Sequence, residues 1–192
     1  MKVVALVQAR MGSTRLPGKV LKPILGKPML LHQIKRLENS QMIDKLIVAT
    51  SDNASDDAIE RMCMDNNIEV FRGDLDNVLD RFYQCAKLKN PDHVVRLTGD
   101  CPLSDWKIID NMIQRYLDED LDYMATSSKF PDGLDVEVMK MSVLSEAKQK
   151  AVLPSETEHV TPYINKNSGK FRSKHFDSDK DLSHLRWTVD EP

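Results

Sequence analysis

The 192-residue sequence contains few cysteines and no long apolar segment. Cys63, Cys85 and Cys101 are odd in number and widely spaced, which excludes a disulfide framework and the usual zinc-binding patterns. No apolar run approaches the roughly 18 residues that a membrane-spanning helix needs, and the run after Lys2 reaches a basic loop too soon for a signal peptide. We therefore expect a cytoplasmic protein that has no membrane partner.

The sequence also lacks an excess of charge of either sign, with 27 Lys and Arg against 30 Asp and Glu. This balance excludes general affinity for nucleic acid, which requires a strongly basic surface. The basic residues instead concentrate between residues 10 and 36, which favours one small anionic ligand. A hydrophobic content of 41% over 192 residues is typical of a single globular domain with a substantial core.

Short apolar runs alternate with helical patterns along the first 120 residues. This alternation predicts a Rossmann-like α/β fold, in which a mostly parallel sheet is covered by helices on both faces. Ser104 is the expected N-cap of a further helix that runs through Leu117. We predict strands near residues 2–8, 45–50, 69–72 and 93–97, and helices near residues 28–38, 56–66 and 78–89.

Beyond Asp120 the regular alternation breaks, which predicts an irregular α+β insertion within the single domain of residues 1–192. Such departures often add specificity to a core of this kind, so we expect residues 121–180 to bind a substrate and to mediate subunit contacts. The patterns favour strands at residues 121–126 and 134–140, helices at 142–149 and 156–166, and a final strand at 185–189.

The first apolar run, residues 3–7, opens directly into a segment rich in glycine, hydroxyl and basic residues. The glycines let the backbone approach a ligand closely, the hydroxyls add donors, and the cations can neutralise a polyphosphate. The spacing matches neither the dinucleotide-binding pattern nor the P-loop pattern. A basic surface loop is the alternative, but the density of special residues favours a phosphate-binding loop. These residues are Arg10, Gly12, Ser13, Thr14, Arg15, Gly18 and Lys19.

A second motif, Thr98-Gly99-Asp100, follows the predicted strand at residues 93–97. Ligands of open parallel sheets bind beyond the carboxyl ends of the strands, so we expect this motif to lie near the first loop. Magnesium takes one or two carboxylates together with phosphates and water, and Asp100 suits that role. Asp100 by itself equally suits a turn or a helix cap. Cys101 has no histidine or other base beside it in sequence, which disfavours a catalytic thiol.

Five segments carry a resemblance to a known family: residues 8–19 (QARMGSTRLPGK), 96–103 (RLTGDCPL), 132–138 (DGLDVEV), 158–164 (EHVTPYI) and 185–192 (LRWTVDEP). In this order they resemble the sugar cytidylyltransferases of the acylneuraminate and 3-deoxy-manno-octulosonate kinds. The similarity is closest to the spore-coat polysaccharide biosynthesis branch. It spans essentially the whole chain and implies a fold of the nucleotide-diphospho-sugar transferase type.

The resemblance implies an enzyme that couples CTP to an acidic sugar, giving a CMP-sugar and pyrophosphate for surface polysaccharide synthesis. It implies magnesium as the cofactor, held by Asp100 and Asp190, and makes Arg10, Lys19 and Asp100 the catalytic residues. Arg10 and Lys19 would contact the β- and γ-phosphates, and backbone N–H groups of residues 11–14 would hold phosphate oxygens. The predicted nucleotide site comprises Ala9, Arg10, Met11, Gly12, Ser13, Thr14, Lys19, Arg72, Thr98 and Gly99.

The sequence alone does not locate clearly the residues that contact the base. Arg72 ends the predicted strand at residues 69–72 and resembles an arginine that contacts the base in related synthetases. Its alternative is a surface ion pair with Asp74 or Asp76.

The predicted sugar site draws on the middle and last segments. Asp135 and Glu137 alternate along a predicted strand and so face one side, where carboxylates accept hydrogen bonds from sugar hydroxyls. Arg186 suits the carboxylate of an acidic sugar, and His159 is a protein alternative as general base. Ordinary surface or dimer salt bridges are the alternative role of the five predicted residues, which are Asp135, Glu137, Glu158, His159 and Arg186.

Two other functions stay open. A catalytically silent nucleotide-binding protein would keep the first loop without using Asp100 and Asp190. A glycosyltransferase that uses a sugar nucleotide would need a D-x-D metal motif, for which residues 74–76 and 118–120 are candidates beside predicted helices. The resembled families form homodimers, which we expect here. They also continue into a further helical segment after residue 192, so we expect either a truncated chain or one that lost this segment.

Overall fold

Nine strands, seven α-helices and three short 3₁₀ helices make up the computed structural model, which describes residues 1–191. Pro192, the last residue of the fifth motif, lies outside the described residues. None of the helices in the described chain is long and apolar enough to cross a membrane. The strands are β1 (Val3–Gln8), β2 (Pro23–Ile24), β3 (Lys27–Pro28), β4 (Lys45–Ser51), β5 (Glu69–Gly73), β6 (His93–Thr98), β7 (Tyr123–Thr126), β8 (Glu137–Lys140) and β9 (Ser173–Phe176). The helices are α1 (Met29–Leu37), α2 (Asp57–Asp65), α3 (Val78–Lys87), α4 (Trp106–Asp118), α5 (Met141–Lys150), α6 (Pro154–Glu158) and α7 (Pro162–Lys166).

Seven of the strands form one sheet in the order β5-β4-β1-β6-β8-β7-β9, and its first four strands are parallel. Alternate residues of β1 point to opposite faces. Val3, Ala5 and Val7 pack with α1, α2 and α4, whereas Val4 and Leu6 pack with α3 and α5. Strands buried on both faces carry continuous apolar runs. The predicted α/β fold with helices on both faces is confirmed.

The two central strands end side by side, since Gln8 of β1 lies opposite Thr98 of β6. The N–H of Gly99 donates to the carbonyl oxygen of Gln8 at 2.7 Å. A Cβ atom at position 99 would lie 2.9 Å from that oxygen, so glycine alone permits this contact without a displacement. The segments that follow β1 and β6 are thereby held at one edge of the sheet, where the strand order reverses.

The second half of the sheet is mixed, because β8 runs antiparallel to β6 and β7 while β9 runs parallel to β7. The predicted strand at residues 134–140 begins only at Glu137. The predicted helix at residues 156–166 is wrong, since α6 ends at Glu158 and Pro162 begins a separate helix. The extended backbone of His159, with φ −118° and ψ 143°, ends the first helix and separates the two. Strand β9 is not expected from the sequence.

Helix α4 differs from expectation at its first turn. Asp105 is the N-cap instead of Ser104, and its carboxylate accepts from the N–H of Lys107 at 2.8 Å. The hydroxyl of Ser104 is buried, donates to the carbonyl oxygen of Cys101 at 2.9 Å and accepts from Gln33 at 3.0 Å. Ser104 therefore ties α1 to the segment after β6.

Residues 185–190, which we call the C-terminal strap, do not form the predicted strand. A single parallel bridge joins Asp132 and Arg186. Backbone N–H groups of the strap donate to the carbonyl oxygens of Asp132 and Asp100 at 2.6 to 3.1 Å. Gly133 has a φ of +104°, and a Cβ atom there would lie 2.5 Å from the nitrogen of Thr188. Glycine at position 133 is therefore required for the strap to reach the end of β6.

Asp122 ties the start of β7 to β8 and β9. Its carboxylate accepts from the backbone N–H of Arg172 at 2.9 Å and pairs with the Lys140 ammonium at 2.9 Å. Burial acts to raise the pKa of Asp122, but the hydrogen bonds from Arg172 and Lys140 outweigh it and lower the pKa to about 2.

Replacement of Asp122 should therefore reduce stability in a pH-dependent way. A carboxylate with a depressed pKa stabilises the fold fully above its unfolded-state pKa near 4, and this contribution is lost as the pH falls through about 2. We expect Asp122→Asn to lower the free energy of unfolding by about 1 kcal/mol at pH 7, after allowance for solvent screening. Urea unfolding should be measured from pH 7 to pH 3. The difference in free energy of unfolding between the variant and the wild type should become smaller below pH 4.

Asp120→Asn is the matched control, because Asp120 pairs with the same two cations but is largely exposed. Asp120→Asn should lower the free energy of unfolding much less than Asp122→Asn does. A loss for Asp122→Asn that stays constant with pH would contradict this assignment.

Candidate active site

The loop that follows β1 is shaped by its own backbone. The N–H groups of Ser13 and Gly18 both donate to the carbonyl oxygen of Met11, at 3.0 and 2.9 Å. The N–H of Met11 donates to the carboxylate of Asp56 at 2.7 Å, and Asp56 is completely buried. Gly18 has a φ of +68°, which favours glycine. The loop is therefore fixed at its base and curves around a space at the edge of the sheet.

This space, which we call the nucleotide cleft, combines both predicted motifs in one cavity. Polar and basic groups from the first loop face the end of β6. The N–H groups of Gly12 and Thr14 make no hydrogen bond to any described residue, so they are available to a ligand. Its lining consists of Gln8, Ala9, Arg10, Gly12, Ser13, Thr14, Arg15, Lys19, Val20, Thr98, Gly99 and Asp100.

Two of the predicted phosphate contacts need correction. The N–H groups of Met11 and Ser13 are already used inside the protein, so they cannot hold phosphate oxygens in this conformation. The Met11 side chain is also absent from the lining of the cleft. Arg10, by contrast, is exposed, and its guanidinium makes no ion pair with residues 1–191. An exposed cation without a partner suits an anionic ligand.

Lys19 connects the two carboxylates that the sequence assigns to a metal. Its ammonium lies 2.9 Å from Oδ2 of Asp100 and 3.2 Å from Oδ1 of Asp190. The Lys19 side chain is 13% exposed and that of Asp190 is 9% exposed, so water screens this pair of contacts only weakly. Burial acts to raise the pKa of Asp100, but hydrogen bonds from Lys19 and Thr98 outweigh it and lower that pKa. The Asp100 carboxylate is therefore charged at neutral pH.

Asp190 has two further cationic partners. Arg15 donates to its Oδ2 at 3.0 Å, and the Arg186 guanidinium contacts the same oxygen. Arg186 also pairs with Asp132. The prediction that Arg186 awaits a substrate carboxylate therefore needs correction, because its guanidinium already binds two carboxylates of the protein. It acts here as a positioning residue for Asp190.

The pair Asp100 and Asp190 has the chemistry of a magnesium site. Both carboxylates already share one cation, and hard oxygen ligands are what Mg²⁺ prefers. The described residues contain no cluster of three or more His, Cys, Asp or Glu side chains in ligating positions. Two carboxylates are nevertheless sufficient when phosphates and waters complete the coordination.

A second cleft lies beside the first, and Thr98 lines both. Asp135 and Glu137 both face this second cleft, as their spacing predicts, although only Glu137 belongs to a strand. Glu137 accepts hydrogen bonds from Arg96 and from the hydroxyl of Tyr123. The lining consists of Arg96, Thr98, Ala125, Thr126, Asp135, Val136 and Glu137.

Three other predicted residues lie elsewhere. Glu158 and His159 are exposed at the end of α6 and line neither cleft. Arg72 is also outside both linings, and it forms the ion pair given as its alternative role, but at 2.7 Å with Asp57 and Glu60 instead of Asp74 or Asp76. Because of these contacts, the geometry does not support the prediction that Arg72 contacts the base.

The remaining sequence motifs have structural roles. Asp74, in the first D-x-D motif, accepts from the N–H groups of Asp76 and Asn77 at 2.8 and 2.6 Å and closes the turn before α3. Residues 118–120 end α4, outside both clefts. Burial and the neighbouring Asp100 charge raise the pKa of the Cys101 thiol, which is therefore protonated at neutral pH.

Two arginines were missed by the sequence interpretation. Arg81 is completely buried and donates to the carbonyl oxygens of Asp74 and Leu75, which braces the segment after β5. Arg96 lines the second cleft. Arg81 interrupts the apolar face of α3, and Arg96 interrupts the apolar run of β6. A charged residue within an apolar pattern was the signal in the sequence that could have indicated a role for each.

A sheet with a parallel half and a cation-lined cleft at its carboxyl edge is typical of α/β proteins that bind nucleotides. Residues 4–190 match the cytidylyltransferase family. The chain belongs to this family. A cytidylyltransferase structure from Leptospira borgpetersenii is 37% identical, with a TM-score of 0.95, over 99% of this chain and 82% of that one.

Two curated relatives add detail. The chain is 37% identical to the spore coat polysaccharide biosynthesis protein SpsF of Bacillus subtilis, over 88% of its own length and 72% of that protein's. It is 33% identical to the 3-deoxy-manno-octulosonate cytidylyltransferase of Trichlorobacter lovleyi over 61% of its length, and it spans 46% of that enzyme. The resemblance to both branches is thereby confirmed.

Loss of the Lys19 ammonium should destabilise the protein, because Asp100 and Asp190 would then face each other without a shared cation. We expect Lys19→Met to lower the free energy of unfolding by about 1–3 kcal/mol, or the melting temperature by about 2–12 °C. Addition of Mg²⁺ without any nucleotide should restore part of this loss. Thermal unfolding with and without 10 mM Mg²⁺ measures both effects.

Arg15→Met provides the control, since Arg15 contacts the same Asp190 but its side chain is 59% exposed. Exposed ion pairs contribute little, so this variant should melt within a degree or two of the wild type. Equal losses in the two variants, or no response of Lys19→Met to Mg²⁺, would show that the two aspartates do not form one cation site.

Proposed function

We propose that this protein transfers the cytidylyl group of CTP to a hydroxyl of an acidic sugar. The hydroxyl oxygen forms a bond to the α-phosphorus, the bond from that phosphorus to the bridging oxygen of the β-phosphate breaks, and pyrophosphate leaves. The hydroxyl proton passes to solvent. The observation that carries the proposal is the nucleotide cleft, where Lys19 and Asp100 line the wall with the basic first loop and Lys19 also contacts Asp190 behind it.

The triphosphate fits the cationic side of this cleft. Arg10 has no partner among the described residues and Lys19 lies in the wall, so these two cations suit the β- and γ-phosphates. The N–H groups of Gly12 and Thr14 can donate to phosphate oxygens. Phosphoryl transfer is accelerated mainly by positioning and by positive charge. Magnesium, when held by Asp100 and Asp190, would neutralise charge at the α-phosphate and lower the pKa of the attacking hydroxyl.

The second cleft suits the sugar because it adjoins the first at Thr98. Asp135 and Glu137 place carboxylate oxygens there, which accept hydrogen bonds from sugar hydroxyls. His159 lies outside this cleft, so its position does not support it as the general base. The relative named for an octulosonate substrate supports an acidic sugar for this chain as well.

The relatives support a biological setting for this activity. The similarity to a spore coat polysaccharide biosynthesis protein supports a role in the synthesis of a surface polysaccharide. We place this activity in the cytoplasm, where CTP is available, and in a homodimer, as the resemblance implies. Light scattering coupled to gel filtration tests the subunit number directly.

Nucleotide selectivity is the first test of the proposal. With Mg²⁺, CTP at about 100 times its dissociation constant should stabilise the protein by roughly 2.7 kcal/mol, which raises the melting temperature by about 5–10 °C. UTP, GTP and ATP should raise it much less, and Asp100→Asn should lose the effect. The control is Arg115→Gln, since Arg115 lies on α4 and pairs with Glu119. This variant should keep the stabilisation by CTP.

Turnover is the second arm of the test. Pyrophosphate release should require CTP, Mg²⁺ and an acidic sugar together. Binding of CTP without pyrophosphate release for any acidic sugar would favour a silent nucleotide-binding protein. Consumption of a sugar nucleotide would favour a glycosyltransferase, and either outcome would contradict the proposed transfer.

A further inference from the structure

We propose that Arg96 binds the carboxylate of the acidic sugar, and that Glu137 and Tyr123 position its guanidinium. This inference rests on the proposed function, because it names the residue of the second cleft that selects the substrate class. It replaces Arg186, which the sequence suggests for this role and which binds Asp132 and Asp190 instead.

Arg96 is an unusual residue for its strand. The run of β6 is otherwise mostly apolar, and Val94, Val95 and Leu97 beside it are buried. Arg96 and Glu137 are directly opposite each other on the antiparallel strands β6 and β8, so their side chains share one face. A charged residue on a central strand costs free energy unless it has partners or a function.

The Arg96 guanidinium is held by Glu137 through one nitrogen, while another of its nitrogens has no partner among the described residues. The Nη1 of Arg96 donates a hydrogen bond to one carboxylate oxygen of Glu137. The other oxygen of Glu137 accepts a hydrogen bond from the hydroxyl of Tyr123. The Nε of Arg96 is buried and has no hydrogen-bond partner among residues 1–191. The edge formed by Nε and Nη2 therefore lacks an acceptor. A planar guanidinium edge of this kind can donate two parallel hydrogen bonds to one carboxylate.

The charges of the second cleft fit one anionic group among several hydroxyls. Arg96 is its single cation among the described lining residues. Glu137 is shared between Arg96 and Tyr123, and Asp135 is exposed to solvent, which screens its charge. The other cations near the site have different partners or positions: Arg15, Lys19 and Arg186 bind Asp190, and Arg10 lies in the nucleotide cleft.

The test compares an acid with its neutral counterpart. The probes are 3-deoxy-manno-octulosonate and N-acetylneuraminate, each also as the primary amide of its carboxyl group, with saturating CTP and Mg²⁺. Pyrophosphate release gives KM and kcat for each. The wild type should prefer the better of the two acids over its amide by 30-fold or more in kcat/KM.

Substitution of Arg96 should remove this preference. In Arg96→Gln the KM for the acid should rise by 30-fold or more, while the KM for the amide and for CTP should change less than threefold. Arg96→Lys, which keeps the charge and loses the planar edge, should raise the KM for the acid about tenfold; it serves as the principal variant if Arg96→Gln does not fold. Arg115→Gln, an exposed arginine on α4, is the control and should match the wild type.

Several outcomes would overturn the inference. An equal loss for acid and amide in both Arg96 variants would mean that Arg96 only supports the fold. A wild type that accepts the amides as well as the acids, or accepts neither sugar while CTP still raises its melting temperature, would overturn the role of Arg96 and leave CTP binding intact. A wild type that does not respond to CTP would overturn the proposed function as well.

Discussion

One ammonium group shared between two carboxylates holds the site together. Asp100 follows β6, Asp190 ends the C-terminal strap, and Lys19 ends the first loop, so the contact joins three segments that are far apart in sequence. Two carboxylates in a poorly hydrated space repel each other unless a cation lies between them. The fold depends on Gly133 and Gly99 to bring the segments together, because side chains at these positions would collide with neighbouring backbone.

The same arrangement explains why a nucleotide and a second substrate can meet here. The reversal of strand order between β4 and β6 opens the nucleotide cleft above β1, and the antiparallel strand β8 builds the second cleft next to it. Thr98 belongs to both linings. The parallel half of the sheet therefore supplies the phosphate-binding loop and Arg96, and the mixed half supplies the carboxylates of Asp135 and Glu137 in the second cleft.

The parallel core could be predicted from the sequence because strands buried on both faces leave continuous apolar runs. The first loop and Asp100 could be predicted because glycine and charged residues follow those runs. Strand β9 could not, because Lys174 and His175 are exposed and Ser173 is polar, so no apolar period marks it. The partners of Arg72 and Arg186 could not be predicted either, because ion pairs between distant segments leave no local pattern. Arg96 was predictable in principle, since a lone charge in a buried strand indicates a partner or a ligand.

The central claim is that Asp100 and Asp190 form one cation site that supports CTP binding. Calorimetric titration of CTP into the wild type and into Asp190→Asn, each with and without Mg²⁺, tests it most directly. The account predicts that Asp190→Asn weakens CTP binding at least tenfold with Mg²⁺ and does not weaken it without the metal. Equal weakening under both conditions, or no change under either, would contradict the claim.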